Sequence, residues 1–122
     1  MSVVQILADI VHAIGASARP DGAYRLDFVD GTSRNATAAE ILAATKAARI
    51  EENRAECSRR IFERYPAGRQ LSASFGLYDS ANVATMVDWI SDMVAAENTA
   101  ADAIEAATTV QAVEAVTVAW PV

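Results

Sequence analysis

Residues 37–66 read TAAEILAATKAARIEENRAECSRRIFERYP. Thr37 and Glu40 stand three apart at the start of this run. That is the spacing of a capping box: the threonine hydroxyl accepts a first-turn amide, and the glutamate carboxylate accepts the amide of the cap. No glycine or proline follows until Pro66, so one unbroken helix is predicted over 38–64, about 40 Å long at roughly 1.5 Å per residue. Ile41, Ala44, Ala48, Ile50, Cys57 and Ile61 form its apolar stripe. Glu51, Glu52, Arg54, Glu56, Arg59, Arg60, Glu63 and Arg64 supply a mixed-charge opposite face.

Toward the C-terminus, Pro66 ends the helix and the segment 65–80 reverses the chain, with room for one helical turn around Leu71. Asp79 or Ser80 then caps a second long helix over 81–105. Its apolar residues Val83, Met86, Val87, Ile90, Met93, Val94 and Ile104 recur at helical spacing, and Trp89 is the large anchor. Residues 38–107 thus form an antiparallel helical hairpin. Thr108 and Gln111 suggest a further capping box for a short helix. After it, Val116-Thr117-Val118-Ala119-Trp120 has strand propensity and Pro121 stops it.

Toward the N-terminus, residues 21–37 read as a β-hairpin. Tyr24, Leu26 and Phe28 alternate with Arg25, Asp27 and Val29, and Asp30-Gly31 suits a two-residue type I′ turn. Residues 1–20 form an amphipathic segment: a helix over 3–15 with Val3, Leu7, Ile10, Val11 and Ile14 on one stripe, with a strand as the alternative, then a turn at 18–22. An isolated two-stranded hairpin is marginal in water. The C-terminal strand is therefore expected to complete the sheet within its own chain, with addition to a neighbour's sheet edge as the alternative. The expected fold is mainly α with a small β element (α+β). It is a single domain over 1–122, in which a long-helix hairpin accompanies a β-hairpin joined by the C-terminal strand.

The net charge of −6 is unevenly spread. All ten Lys and Arg residues precede Gln70, while seven acids and no base follow it. An acidic half without cations repels phosphate backbones, so nucleic acid is not an expected partner. The opening stretch carries Asp9 within its apolar run and lacks a basic leader, so neither a membrane span nor a signal peptide is expected.

No catalytic constellation is expected. His12 is the single histidine and lies on a surface helix, so a general-base role would need it in a concave pocket beside an acid. Cys57 shares a stripe with Ile50 and Ile61 and reads as a small buried hydrophobe. No glycine-rich loop precedes a helix, so the usual phosphate cradles are missing. Asp88 and Asp92 read as a solvated stripe and not as a metal site. Arg59, Arg60, Arg64 and Arg69 form the one basic concentration, read as a solvated face or an anchor for the acidic half, with a phosphate site as the minor alternative. Neither cofactor nor metal is expected, and the chain reads as a non-enzyme.

Residues 65–121 resemble a group of small bacteriophage tail-associated proteins encoded beside tail-fibre genes. The resemblance rests on Tyr65-Pro66 with Arg69-Gln70, Gly76-Leu77-Tyr78, Met86 with Trp89-Ile90, Asp102-Ala103-Ile104, Thr108-Thr109 and the closing Val116 to Pro121. The stretch 21–41 is similar to hairpin-then-helix segments in such proteins. What the resemblance implies is a structural component of the tail or tail-fibre apparatus, located in the virion tail. The alternative is a fibre-assembly chaperone acting in the host cytoplasm. The implied partner is a tail or tail-fibre protein, with a homo-oligomer as a further option. Val116, Val118 and Trp120 on the terminal strand, with Tyr78 and Trp89 from the matched motifs, are the expected interface residues. A helical regulatory, antitoxin-like module that binds a basic partner is the competing reading.

Overall fold

The computed structural model describes residues 1–122 and is mainly helical with one small antiparallel sheet. In chain order the elements are α1 (Val3–Val11), β1 (Gly15–Ala18), β2 (Tyr24–Asp27), β3 (Ser33–Asn35), α2 (Ala38–Arg64), α3 (Ala67–Ser74), α4 (Ser80–Ala106) and α5 (Val110–Ala115). The contacts cluster into two compact units. One comprises residues 1–51 and 103–116, the other residues 52–102 and 117–122.

In the first unit, Ser2 and Gln5 form a capping box that starts α1. The helix ends at His12, whose φ of 56° turns the chain out of it. Two hairpins follow with the same loop chemistry. In each, an aspartate sits one residue before a glycine of positive φ: Asp21 before Gly22, and Asp30 before Gly31. The carboxylate accepts the amide two residues on, Ala23 in the first loop and Thr32 in the second. The loop closes through the Arg19 amide to Ala23 in one and the Phe28 amide to Thr32 in the other. These are three-residue loops with a left-handed glycine. The expected two-residue type I′ turn at Asp30-Gly31 is therefore not formed, because Asp30 keeps an ordinary negative φ and its side chain holds the turn instead.

The sheet order is β1-β2-β3, with Leu26 opposite Ala16 on one side and Arg34 on the other. This corrects the expected topology. The third strand is β1, from Gly15 to Ala18, and residues 116–122 form no strand. β1 lies next to β2 in sequence and pairs across a short loop, which costs far less closure entropy than bringing in a segment some ninety positions later. Leu26 on the central strand is fully buried and packs with Ile6, Leu7 and Ala44. Ile10 and Ile14, assigned to the same α1 stripe as Leu7, are exposed.

Helix α2 begins as the capping box requires. The Glu40 amide donates to the Thr37 hydroxyl at 3.1 Å, and the Thr37 amide donates to Glu40 Oε1 at 2.8 Å. Helices α2 and α4 run antiparallel. Within the first unit, Lys46 Nζ donates to the Glu105 carbonyl at 2.8 Å. Within the second, Arg54 pairs with Glu97 at 3.4 Å, and Arg64 lies 4.5 Å from the Trp89 ring centroid. The partner number falls as the α2 number rises, which is the register of a hairpin. α5 starts one residue later than expected: Thr109, and not Thr108, accepts the Ala112 amide.

In the second unit, α3 runs two turns where one was expected. Gly76 at φ 74° ends it, and Asp79 caps α4 by accepting the Asn82 amide at 2.8 Å. Tyr65, Ala73 and Met86 make a small core with Val83, Trp89 and Ile90 packed around it. Met93 is also buried, whereas Val87 and Val94, expected on the same inner stripe, face solvent.

Candidate functional site

The second unit concentrates arginines against aromatic rings. α2 places Arg60 and Arg64 four residues apart on one face. Arg60 lies 5.1 Å from the centroid of Trp120, and Arg64 4.5 Å from that of Trp89. Trp89 meets Tyr65 edge to face at 5.7 Å and 61°. Arg69 on α3 completes the series, 5.1 Å from Tyr65 and 6.0 Å from Tyr78. A guanidinium over an aromatic face contributes about 0.5–2 kcal/mol depending on its desolvation. The arginines are thus used for stacking and for pairs inside their own helix: Arg59 bonds Glu56 and Glu63, and Arg60 bonds Glu56. Together Arg59 and Arg60 hold the Glu56 carboxyl down to about 2.

Each expected interface residue has a defined place. Val116 is half-buried, and in the first unit its carbonyl accepts from Arg49 Nη2 at 3.1 Å. In the second unit, Val118 and Trp120 are half-buried while Thr117 and Ala119 are exposed. The segment therefore keeps the alternation of a strand without a strand partner. Trp89 and Pro121 line one cleft of about 410 Å³ together with Arg59, Arg60 and Arg64. Tyr78 lines a different, small cavity with Tyr65, Arg69 and Met86. Tyr65 is the link between the two, since it also stacks on Trp89.

Residues 71–78 carry a feature not singled out from the sequence. Leu71 is 56% exposed, Phe75 71%, Leu77 70% and Tyr78 41%, all at the elbow between α3 and α4. Single exposed apolar side chains are ordinary, but four within eight positions at one elbow form a patch of the kind that marks contact sites. The signal was present as an apolar cluster, SASFGLY, in a segment that has to reverse direction.

His12 lines a shallow depression with Phe28, Asp30 and Arg34. Asp30 Oδ1 accepts from the Thr32 amide and hydroxyl, at 2.9 and 2.6 Å. Arg34 is bound to Glu40. No group of three or more His, Cys, Asp and Glu side chains converges. Cys57 is buried, and desolvation followed by the charge of Glu97 pushes its thiol pKa up. No helix is long and apolar enough to cross a membrane.

The chain matches no family model, no curated protein and no solved structure.

Proposed function

We propose that the protein is a non-enzymatic component of a bacteriophage tail or tail-fibre apparatus and acts through protein–protein contacts. The observation that carries this reading is the apolar elbow of Leu71, Phe75, Leu77 and Tyr78, left open to solvent on a helical scaffold. The resemblance of 65–121 to tail-associated proteins supplies the biological setting, and Gly76-Leu77-Tyr78 is among its motifs. The partner is a tail or tail-fibre protein, and the site of action is the virion tail.

Mass spectrometry of purified particles tests this. The protein is expected in the particles at a fixed ratio to other tail proteins, and Phe75→Ser with Leu77→Ser is expected to remove it from them. Absence from particles combined with a loss of soluble fibre trimers when the gene is omitted replaces this role with that of an assembly chaperone. Absence from particles with normal fibre assembly overturns the tail reading altogether.

A further inference from the structure

The small sheet has two edge strands, β1 and β3, and they are not alike. Just beyond β1 the Arg19 amide donates to the Ala23 carbonyl at 2.8 Å. Bonded and non-bonded pairs alternate along an antiparallel ladder, so Ser17 exchanges backbone bonds with Arg25, and Gly15 with Asp27. Ala16 and Ala18 fall between these pairs. Their amides and carbonyls turn away from β2 and bond nothing in the protein. On the β3 edge, by contrast, Arg34 Nη1 donates to the Asn35 carbonyl at 3.1 Å. β1 has no such clip and no charged side chain, the devices that blunt an edge strand.

The open stretch is short and bounded. Pro20 falls on the same edge as Ala16 and Ala18 and has no amide to give. At the other end the Ile14 amide donates to the Asp27 carbonyl at 2.9 Å, although Gly15 is the residue paired with Asp27. That is a bulge, which bends the chain there. An edge of two alanines selects no foreign peptide, because strand addition draws its specificity from pockets for alternate side chains. The edge is, however, its own complement. Under a two-fold axis at Ser17, Ala16 of each copy faces Ala18 of the other, and both pairs exchange backbone bonds.

We infer that β1 is a dimerisation edge, on which a second copy of this chain pairs antiparallel about Ser17 and continues the sheet from one protomer into the next. Charge selects both the occupant and the register. Side chains alternate along a strand, so Gly15, Arg19 and Asp27 lie on the sheet face away from buried Leu26. In this register Arg19 stands opposite the partner's Gly15, which stands opposite the partner's Asp27. Gly15 has no side chain to intervene, so guanidinium and carboxylate can meet across it, once on each side of the axis. Within its own chain Arg19 holds only the Asn35 amide oxygen, at 3.1 Å. A register shifted by two residues sets Arg19 in line with the partner's Ser17 and Arg25, a like-charge row. The paired register also brings Ile14, which is 70% exposed, opposite the partner's Pro20. This edge belongs to the first unit and the Leu71–Tyr78 elbow to the second, so the fate of the tail assignment does not decide it.

Sedimentation of the full chain tests this, together with cysteines placed by the register. The chain should sediment as a dimer at high concentration and as a monomer on dilution. Ser17 meets the partner's Ser17 as a non-bonded pair, with Cα atoms about 4.5 Å apart, which is within disulfide reach. Under oxidised glutathione, Ser17→Cys should therefore form linked dimers about tenfold faster than Ala18→Cys, whose two copies the axis holds further apart. Cys57 is buried and takes no part. Arg19→Glu should weaken the dimer about tenfold, while Asn35→Ala, which removes only the own-chain partner of Arg19, should leave it intact. A monomer at millimolar concentration overturns the inference. So does equal cross-linking of the two cysteine variants, or an Arg19→Glu chain that dimerises like its parent. Slowed amide exchange at Ala16 and Ala18 when a valine–threonine peptide is added to a chain that stays monomeric makes the occupant another protein and overturns it too.

Discussion

Arg34 and Glu40 meet through two hydrogen bonds of 2.7 and 2.9 Å, Nη1 to Oε1 and Nη2 to Oε2. Arg34 is on the last strand of the sheet and Glu40 is in the first turn of α2, so one carboxylate ties the sheet to the helix while also capping it. A planar guanidinium matched to a carboxylate in this way fixes orientation as well as distance.

Glu40 gives the clearest pH dependence. The Arg34 hydrogen bonds, then the Thr37 amide, hold its pKa down to about 2 from an ordinary 4.5. A depressed carboxylate contributes stability that is complete above its unfolded pKa and is lost as pH falls toward its folded value. Acid titration should therefore weaken the first unit between about pH 4.5 and 2. Glu40→Gln should flatten that loss and lower stability at neutral pH by about 1 kcal/mol. A melting curve for the variant that matches the parent at both pH 7 and pH 3 would contradict this.

Leu26 is completely buried at the centre of a three-stranded sheet and packs on Ile6 and Leu7 of α1. Leu26→Ala should cost about 2–5 kcal/mol by leaving a cavity that a strand held on both sides cannot collapse into. Urea unfolding measures it. A loss under 1 kcal/mol would mean that this core is not as tightly packed as the structure has it.

Trp120→Ala removes a half-buried indole from beneath Arg60 and should destabilise the second unit by about 1–2 kcal/mol. Truncation after Ala115 removes the whole segment, but the sheet does not use it. Amide protection of Tyr24–Asp27 should be the same in the truncated and full chains. If protection there collapses on truncation, the strand order β1-β2-β3 is wrong.

Cys57 should be inert in the folded protein. It is 3% exposed and its thiol is shifted up, so little thiolate forms near neutral pH and reagents cannot reach it. Labelling by a thiol reagent should follow global unfolding with added urea. Rapid labelling without denaturant would show that α2 opens locally around Cys57.

The sequence by itself determined the elements whose causes are local. Thr37, Glu40 and the absence of Gly or Pro up to Pro66 were enough for α2 from Ala38 to Arg64, since a cap, propensity and a breaker act within a few residues. The period of Met86, Ile90 and Met93 likewise gave α4 its inner face, and the β2–β3 hairpin followed from alternation around an Asp-Gly pair. Only the tertiary structure decided which segment became the third strand. Gly15-Ala16-Ser17-Ala18 has little strand propensity, while the stretch from Val116 to Trp120 has a great deal. Proximity to β2 outweighed propensity, because closing a three-residue loop is cheap and strand preference is weak beside it. The Arg60–Trp120 and Arg64–Trp89 contacts were equally illegible, because each joins residues far apart in the chain and nothing near either residue specifies the other.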